Sequence, residues 1–232
     1  MAARSLMTCA AGALFLAGCL NTLPGSNPDG ADAEARAGLA AFFAGGGGQR
    51  RAPLAKVSLA GGDVVVAGPD GYCLDPESKR AGPERGFAVI ASCHILSGGQ
   101  AGRPVAPVLV TVTVGPRGDT TDLPTPQALA QAAGSELLDG DTRRGRVTAH
   151  LSSGGDTMFE GSDPRYWRAA FLQGGRLVGL ALYAPRGSAL AGDRGEAMLG
   201  RVRDNISRLS PKEASAAQPK PANGVLGRLF NR

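Results

Sequence analysis

Valine occupies every second position from residue 108 to residue 114, and this alternation constrains the fold more than any other stretch of the chain. Side chains of a β-strand point alternately to its two faces, so the four valines share one face and Thr111 and Thr113 share the other. A strand with one apolar and one polar face is half-buried and belongs to a packed sheet. Aromatic residues make up only 5% of the chain, so we expect a core of Val, Leu, Ala and Ile.

Two hairpins are predicted, one before and one after this strand in the chain. The first joins residues 57–59 to residues 63–67 around Gly61-Gly62, and the second joins residues 166–172 to residues 176–183 through a Gly-rich turn. The last of these strands is apolar on both faces. Such a strand belongs in the middle of a sheet that is covered on both sides, or by a helix on one side.

Three shorter strands are predicted as well. Residues 87–92 form an apolar strand that runs into Cys93-His94, and residues 157–159 form another after a glycine turn. Residues 146–151 alternate between apolar and polar side chains, which predicts one buried and one exposed face. The expected inward residues are Val147, Ala149 and Leu151, and the expected solvent-facing residues are Arg146, Thr148 and His150.

Two helices are predicted, at residues 126–133 and at residues 193–209. Asp193 and Glu196 resemble a capping box at the start of the second helix. Apolar residues then recur with the helical period and should pack on the sheet: they are Met198, Val202, Ile206 and Leu209. The order of elements predicts an α+β fold, with a mainly antiparallel sheet and a packed C-terminal helix.

The C-terminal part of the domain resembles the closing hairpin and helix of PsbP-like α/β/α domains. The similarity runs from Tyr166-Trp167-Arg168 through Arg176-Leu177-Val178 to Ile206-Ser207-Arg208-Leu209, and it lies in the order of the elements. The resemblance implies an α/β/α arrangement. It also implies an accessory role without enzymatic activity, because that family consists largely of accessory proteins.

The N-terminus has the features of a secretory signal. Arg4 gives a positive start, and residues 6–16 form an apolar stretch that is shorter than the roughly 20 apolar residues of a membrane-spanning helix. The following Leu16-Ala17-Gly18-Cys19 resembles the lipobox of bacterial lipoproteins. This resemblance implies that residues 1–18 are a signal peptide and that Cys19 is lipidated. A secretory signal without lipidation and a retained membrane helix are the alternatives.

The lipoprotein resemblance also implies a location. In that family the cysteine sulfur receives a diacylglyceryl group and the new amino group is often acylated, with fatty-acyl chains such as palmitate. Two or more acyl chains hold a protein stably at a membrane. An Asp after the cysteine commonly retains such proteins in the inner membrane, whereas this chain has Leu20. The resemblance therefore implies an outer-membrane anchor and a domain that faces the periplasm.

The segments on both sides of the domain differ from it in composition. Residues 19–55 are rich in Gly, Pro and Asn and are predicted to be the lipid anchor and a flexible tether. Residues 56–209 are predicted to form a single α+β domain. Residues 210–232 are predicted to be a disordered linker and a short amphipathic basic tail. The apolar side of this tail consists of Val225, Leu226, Leu229 and Phe230. A contact of this side with a protein partner is predicted, and docking on a membrane surface and a frayed tail are the alternatives.

The four cysteines are all accounted for by these assignments. Cys9 leaves with the signal peptide and Cys19 receives the lipid. Cys73 and Cys93 remain as a pair in a compartment that permits disulfides. We therefore expect a disulfide between them.

A metal site and a nucleophilic catalytic site are the alternatives for the Cys and His residues of the domain. A metal site of the two cysteines with Asp75 and His94 is disfavoured, because the adjacent Cys93 and His94 would point to opposite sides of a strand. His94 and His150 are the two histidines of the chain, and no Gly-x-Ser-x-Gly elbow accompanies them. We expect His150 to be an ordinary exposed side chain. No catalytic residue, metal or cofactor is predicted.

Charge restricts the classes of function. The net charge is +5, but the arginines are scattered and form no basic arm, so nucleic-acid binding is not expected. The acidic pairs Asp139/Asp141 and Asp156/Glu160 lie in Gly-rich turns, where solvated carboxylates are expected. We predict a non-enzymatic accessory or binding module of the envelope whose ligand is unidentified. A hydrolase of envelope material and a structural component of an envelope assembly are the alternatives.

Overall fold

The computed structural model describes residues 51–118 and 122–212. The strands are β1 (Val57–Leu59), β2 (Val64–Val66), β3 (Tyr72–Leu74), β4 (Arg80–Ala81), β5 (Gly86–Ser92), β6 (Leu109–Arg117), β7 (Leu137–Arg143), β8 (Arg146–Leu151), β9 (Tyr166–Gln173) and β10 (Arg176–Tyr183). The α-helices are α1 (Cys93–Leu96), α2 (Pro126–Ala133) and α3 (Arg194–Leu209). The predicted signal peptide, Cys19, most of the tether and the apolar tail residues lie outside the described ranges.

The predicted α+β class is confirmed. One antiparallel sheet has the order β3-β5-β6-β10-β9-β8-β7, and β4 pairs with β5 beside β3. Strands β1 and β2 form a separate hairpin. The valine strand β6 lies near the middle of the large sheet between β5 and β10. Its Val110, Val112 and Val114, and Val108 just before it, are buried, as predicted.

Helix α3 and the β1–β2 hairpin cover the same face of the sheet. Helix α3 packs on β2, β9 and β10, and its residues Met198, Val202 and Ile206 are fully buried there. The Oγ of Ser210, just after the helix, accepts a hydrogen bond from the Val65 amide at 2.9 Å. The hairpin and the helix therefore form one layer over the sheet.

The predicted capping box at the start of α3 is wrong. The Asp193 side chain makes no capping hydrogen bond. Glu196 instead accepts a hydrogen bond from Arg146 Nη2 on β8, with a distance of 2.8 Å to its Oε1. Glu196 therefore joins α3 to β8 and does not cap the helix.

The residues of β8 predicted to face inward are buried, as expected: Val147 is 1% exposed, and Ala149 and Leu151 are fully buried. The prediction that the alternate residues face solvent is wrong. Arg146, Thr148 and His150 lie beside Phe171, Ala169 and Trp167 of β9, on the face that α3 covers. Thr148 is only 1% exposed. The opposite face of β8 packs against α2. Both faces are therefore covered, which the alternation of side chains could not indicate.

Three local predictions differ from the structure. Residues 157–159 form no strand; a 3-10 turn occupies Gly155–Thr157. Cys93 and His94 begin α1 and do not continue a strand, because Ser92 Oγ accepts a hydrogen bond from the Ile95 amide as an N-cap. Asp139 and Asp141 lie in the edge strand β7, where turns were expected.

The Cys73–Cys93 disulfide is confirmed. It links β3, at one edge of the sheet, to the first residue of α1, and the two Cα atoms are 4.9 Å apart. The sequence separation is 20 residues. The bridge therefore fixes the edge strand to the turn that follows β5.

Removal of this bridge should destabilise the domain. The double variant Cys73→Ser/Cys93→Ser should lose about 3 kcal/mol of unfolding free energy, because a loop of this length is no longer closed in the unfolded chain. Urea unfolding measures the loss. Thiol labelling of the denatured, unreduced wild type should modify neither residue, and stoichiometric labelling of both would contradict the assignment.

Arg176 joins the hairpin to the sheet. It is 4% exposed, and its Nε donates a hydrogen bond of 2.7 Å to Asp63 Oδ2. Its Nη1 donates to the carbonyl oxygens of Glu84 at 2.6 Å and Gly115 at 3.3 Å, and its Nη2 donates to that of Pro83 at 3.3 Å. One buried guanidinium thus connects four segments of the chain.

The ion pair of Asp63 predicts acid sensitivity. The hydrogen bond from Arg176 lowers the pKa of Asp63 and, together with that from Arg117, outweighs burial, which raises it. Because the pKa is lower in the folded state, the pair contributes stability above about pH 4 that is lost as the pH falls through the folded-state pKa. Asp63→Asn should cost about 2 kcal/mol at neutral pH and flatten the acid decline in urea unfolding. Equal pH slopes for variant and wild type would refute this role.

Candidate functional site

The sheet face opposite α3 is open in its middle. We call this opening the sheet groove; its floor is formed by Thr111, Thr113, Ala170, Gly179 and Ala181. These residues come from β6, β9 and β10. Thr111 pairs with Ala181, and Gly179 pairs with both Thr113 and Ala170, so the five side-chain positions share one face.

The sheet groove is flanked on this face by helix α2 on one side and by an apolar cluster around Phe159 on the other. On one side, α2 packs its Ala130 against Ala149 and Leu151 of β8. On the other side, Phe159 packs with Ile95, covering part of β5 and β6. The central strands between them carry only small side chains at the floor positions.

The size of the opening suits a small-molecule ligand. The sheet groove has a volume of about 540 Å³, and an adjoining cavity of about 550 Å³ shares Thr111 with it. The adjoining cavity is lined by Phe87, Val89, Met158 and Tyr183. Ligand sites in proteins commonly measure about 300–1,000 Å³ and have mainly apolar linings. Each cavity falls within that range.

The charged residues at these cavities are all basic. Arg85, Arg117 and Arg168 line the sheet groove, Arg80 lines the adjoining cavity, and no acidic residue lines either one among the described residues. Arg117 forms an ion pair with Asp63, with 2.6 Å between Nη2 and Oδ2. The lining therefore favours an anionic group over a cationic one.

Arg168 occupies an unusual position beside the floor residue Ala181. It is half-buried on β9, beside Ala181 of β10 and Ala149 of β8. Within residues 51–118 and 122–212, its side chain has neither a carboxylate partner nor a hydrogen bond. Its positive charge opposes the increase that burial causes in the pKa of Tyr166 and Tyr183. A half-buried guanidinium without a partner is available to pair with an anionic group.

Gly179 keeps the floor open. A Cβ atom built on Gly179 would meet nothing within 4 Å, and its backbone is not left-handed. A glycine inside a strand often marks the close approach of a ligand or of another backbone. This glycine, within an otherwise apolar strand, was the signal in the sequence that could have located the sheet groove.

A second basic cluster lies where β7 turns into β8, next to α3. Arg143, Arg144, Arg146 and Arg203 surround a pocket of about 160 Å³. Arg143, Arg146 and Arg203 form ion pairs with Asp141, Glu196 and Asp204, respectively. Most of the positive charge of this cluster is therefore already neutralised by the protein.

The two histidines lie away from the sheet groove. The ring of His150 stacks on Trp167 with 4.4 Å between centroids, and its Nε2 donates a hydrogen bond to the Ala191 carbonyl oxygen at 2.8 Å. The prediction that His150 is an ordinary exposed residue is wrong. His94 lies in α1, half-buried. Neither histidine lines the sheet groove.

The remaining candidate residues do not form a metal cluster. Asp75 accepts hydrogen bonds from the Glu77 and Ser78 amides, and Cys73 and Cys93 are joined to each other. In the described part of the chain, no group of three or more His, Cys, Asp or Glu side chains is placed to hold a metal ion.

Comparison with protein-family models, curated proteins and solved structures finds no match to this chain. Among the helices of residues 51–118 and 122–212, none has the length and hydropathy needed to span a membrane. The residues of the chain itself are therefore the basis for proposing a function.

The open space above Gly179 gives a stability prediction. Gly179→Leu should remain within about 1 kcal/mol of the wild-type unfolding free energy, because the added side chain enters empty space and removes a glycine from a strand. Gly195→Leu is the contrasting variant, since a Cβ there would lie 2.2 Å from Trp167 Cδ1. It should lose about 3 kcal/mol. Equal losses in urea unfolding would show that the sheet groove is not open at Gly179.

Proposed function

We propose that this protein is an outer-membrane lipoprotein whose periplasm-facing domain is a non-enzymatic binding module, with the sheet groove as its binding surface. The observation that carries the proposal is Arg168, a half-buried cation without an anionic partner among the described residues, on an open floor of small side chains. The lipobox resemblance of Leu16-Ala17-Gly18-Cys19 supports the anchor.

The disulfide supports an exported domain. Disulfides form and persist in oxidising compartments such as the periplasm, and they are rare in the cytosol. The Cys73–Cys93 bridge is therefore consistent with the secretory signal at residues 1–18. A domain tethered on the periplasmic side could meet ligands at the membrane surface.

The chemistry of the lining favours binding over catalysis. A general acid or base must exchange a proton near the working pH, and arginine stays protonated there. Burial raises the pKa of Tyr183 further above its already high ordinary value. The described lining residues include no His, Cys, Asp or Glu. The PsbP-like order of the C-terminal elements agrees with an accessory role.

Two variants test the anchor and the binding surface separately. Cells supplied with a tagged palmitate analogue should label the wild type, and Cys19→Ser should abolish both the label and recovery in the outer membrane. We expect a strain that lacks this protein to lose resistance to detergent. Gly179→Leu should remain labelled and anchored but should not restore that resistance. Thr142→Leu, on the exposed edge strand β7, is the matched control and should restore it.

Each part of the proposal has its own contradicting result. Labelling of Cys19→Ser equal to that of the wild type would reject the anchor. Full restoration by Gly179→Leu, at wild-type abundance, would reject the sheet groove as the working surface.

A further inference from the structure

We propose, building on the function proposed above, that the sheet groove binds a fatty-acid-type lipid. Its hydrocarbon chain lies along the floor formed by Thr111, Gly179 and Ala181, and its anionic headgroup pairs with Arg168.

The pairing of the floor strands favours a hydrocarbon chain over an extended peptide. Strands β6, β9 and β10 are each paired with a neighbour on both sides. Their main-chain groups are therefore not available to add a further strand, which is how extended peptides gain affinity at sheet edges. A peptide on this floor would leave its own amide and carbonyl groups unpaired, at a large cost. A hydrocarbon chain carries no such groups.

The apolar surface continues beyond the sheet groove. The adjoining cavity extends the floor from Thr111 past Val89 and Phe87 toward Met158 and Tyr183. A chain that begins at Arg168 can therefore remain on apolar surface on both sides of Thr111. Each methylene group that leaves water for such a surface strengthens binding about fourfold.

The charges favour an anionic headgroup. Arg168 lies beside the floor residue Ala181, and Arg85 also lines the sheet groove. Neither has a carboxylate partner among the described residues. A carboxylate or phosphate can accept two parallel hydrogen bonds from one guanidinium. Because Arg168 is half-buried, water and salt screen such a pair less than they screen one on an open surface.

The same charges disfavour the chain's own C-terminal tail as the occupant. Residues 213–232 contain Lys220, Arg228 and Arg232 against the single acid Glu213. A basic tail would bring like charges to the arginines of the sheet groove. An anionic lipid meets both the apolar and the charged parts of the lining.

Calorimetric titration with three soluble probes tests this proposal. The protein is residues 20–232, exported through a cleavable signal, so that every described residue is retained and no anchor lipid competes. The probes are dodecanoate, dodecanol of equal chain length without the charge, and hexanoate with the charge on a shorter chain. Dodecanoate should bind with one-to-one stoichiometry, about tenfold more tightly than dodecanol and at least a hundredfold more tightly than hexanoate.

Variants locate the site within the protein. Gly179→Leu should abolish dodecanoate binding by filling the floor. Arg168→Gln should weaken dodecanoate about tenfold and leave dodecanol unchanged, which a merely structural role of Arg168 would not do. Arg208→Gln on α3, in the opposite layer, and Thr142→Leu are matched controls and should bind as the wild type does. Thermal unfolding of each variant shows that it is folded.

Three results would overturn the proposal. Equal affinities for dodecanoate and dodecanol would show that the anionic headgroup does not contribute to binding. Unchanged binding in Gly179→Leu would place the ligand elsewhere. No binding by any probe, while Gly179→Leu still fails to restore detergent resistance in cells, would reject the lipid and leave the proposed function standing.

Discussion

Strand β6 pairs with β10 along most of its length, and this pairing joins two separately built halves of the sheet. One half runs β3-β5-β6 and the other runs β7-β8-β9-β10, each as antiparallel neighbours in chain order, with β4 added at β5. The segment after β6 must therefore travel from the middle of the sheet to its far edge at β7. Helix α2 lies on that path and packs where the segment arrives, on β7 and β8.

Because the joining strands are central, both of their faces need to be covered. Helix α3 and the β1–β2 hairpin cover one face completely, and Arg176 fixes the hairpin with hydrogen bonds to Asp63 and to three backbone carbonyl groups. The other face is covered only at its two sides. The uncovered floor carries Gly179 and Ala181 opposite Thr113 and Thr111. A floor of small side chains beside a half-buried cation is a surface typical of ligand binding.

The sequence predicted the elements whose side chains repeat with a clear period. The valine alternation of β6, the two hairpins and the bounds of α2 were correct because local spacing determines them. The solvent-exposed face predicted for β8 was wrong, because alternation shows which residues share a face but not which element covers that face. Strand β7 contains Asp139, Gly140 and Asp141, which disfavour strands, and it forms because β8 offers a pairing edge.

The candidate site was less predictable than the fold. The disulfide followed from the cysteine count and the expected compartment, but the floor brings together residues from β6, β9 and β10 that are far apart in the chain. The alternation of β8 predicts an exposed His150. The prediction failed because the stacking partner Trp167 lies on another strand, which local spacing does not reveal. Only Gly179, an isolated glycine in an apolar strand, carried a local sign of the sheet groove.

The proposed ligand lies on the floor of the sheet groove, in contact with Ala170, Gly179 and Ala181. Methyl NMR of protein with labelled alanines, titrated with dodecanoate, tests this placement most directly. We expect progressive shifts at Ala170 and Ala181, while Ala184 and Ala191, which belong to the core cluster containing α3, stay unchanged. Shifts confined to Ala184 and Ala191, or no saturable shift at Ala170 and Ala181, would contradict it.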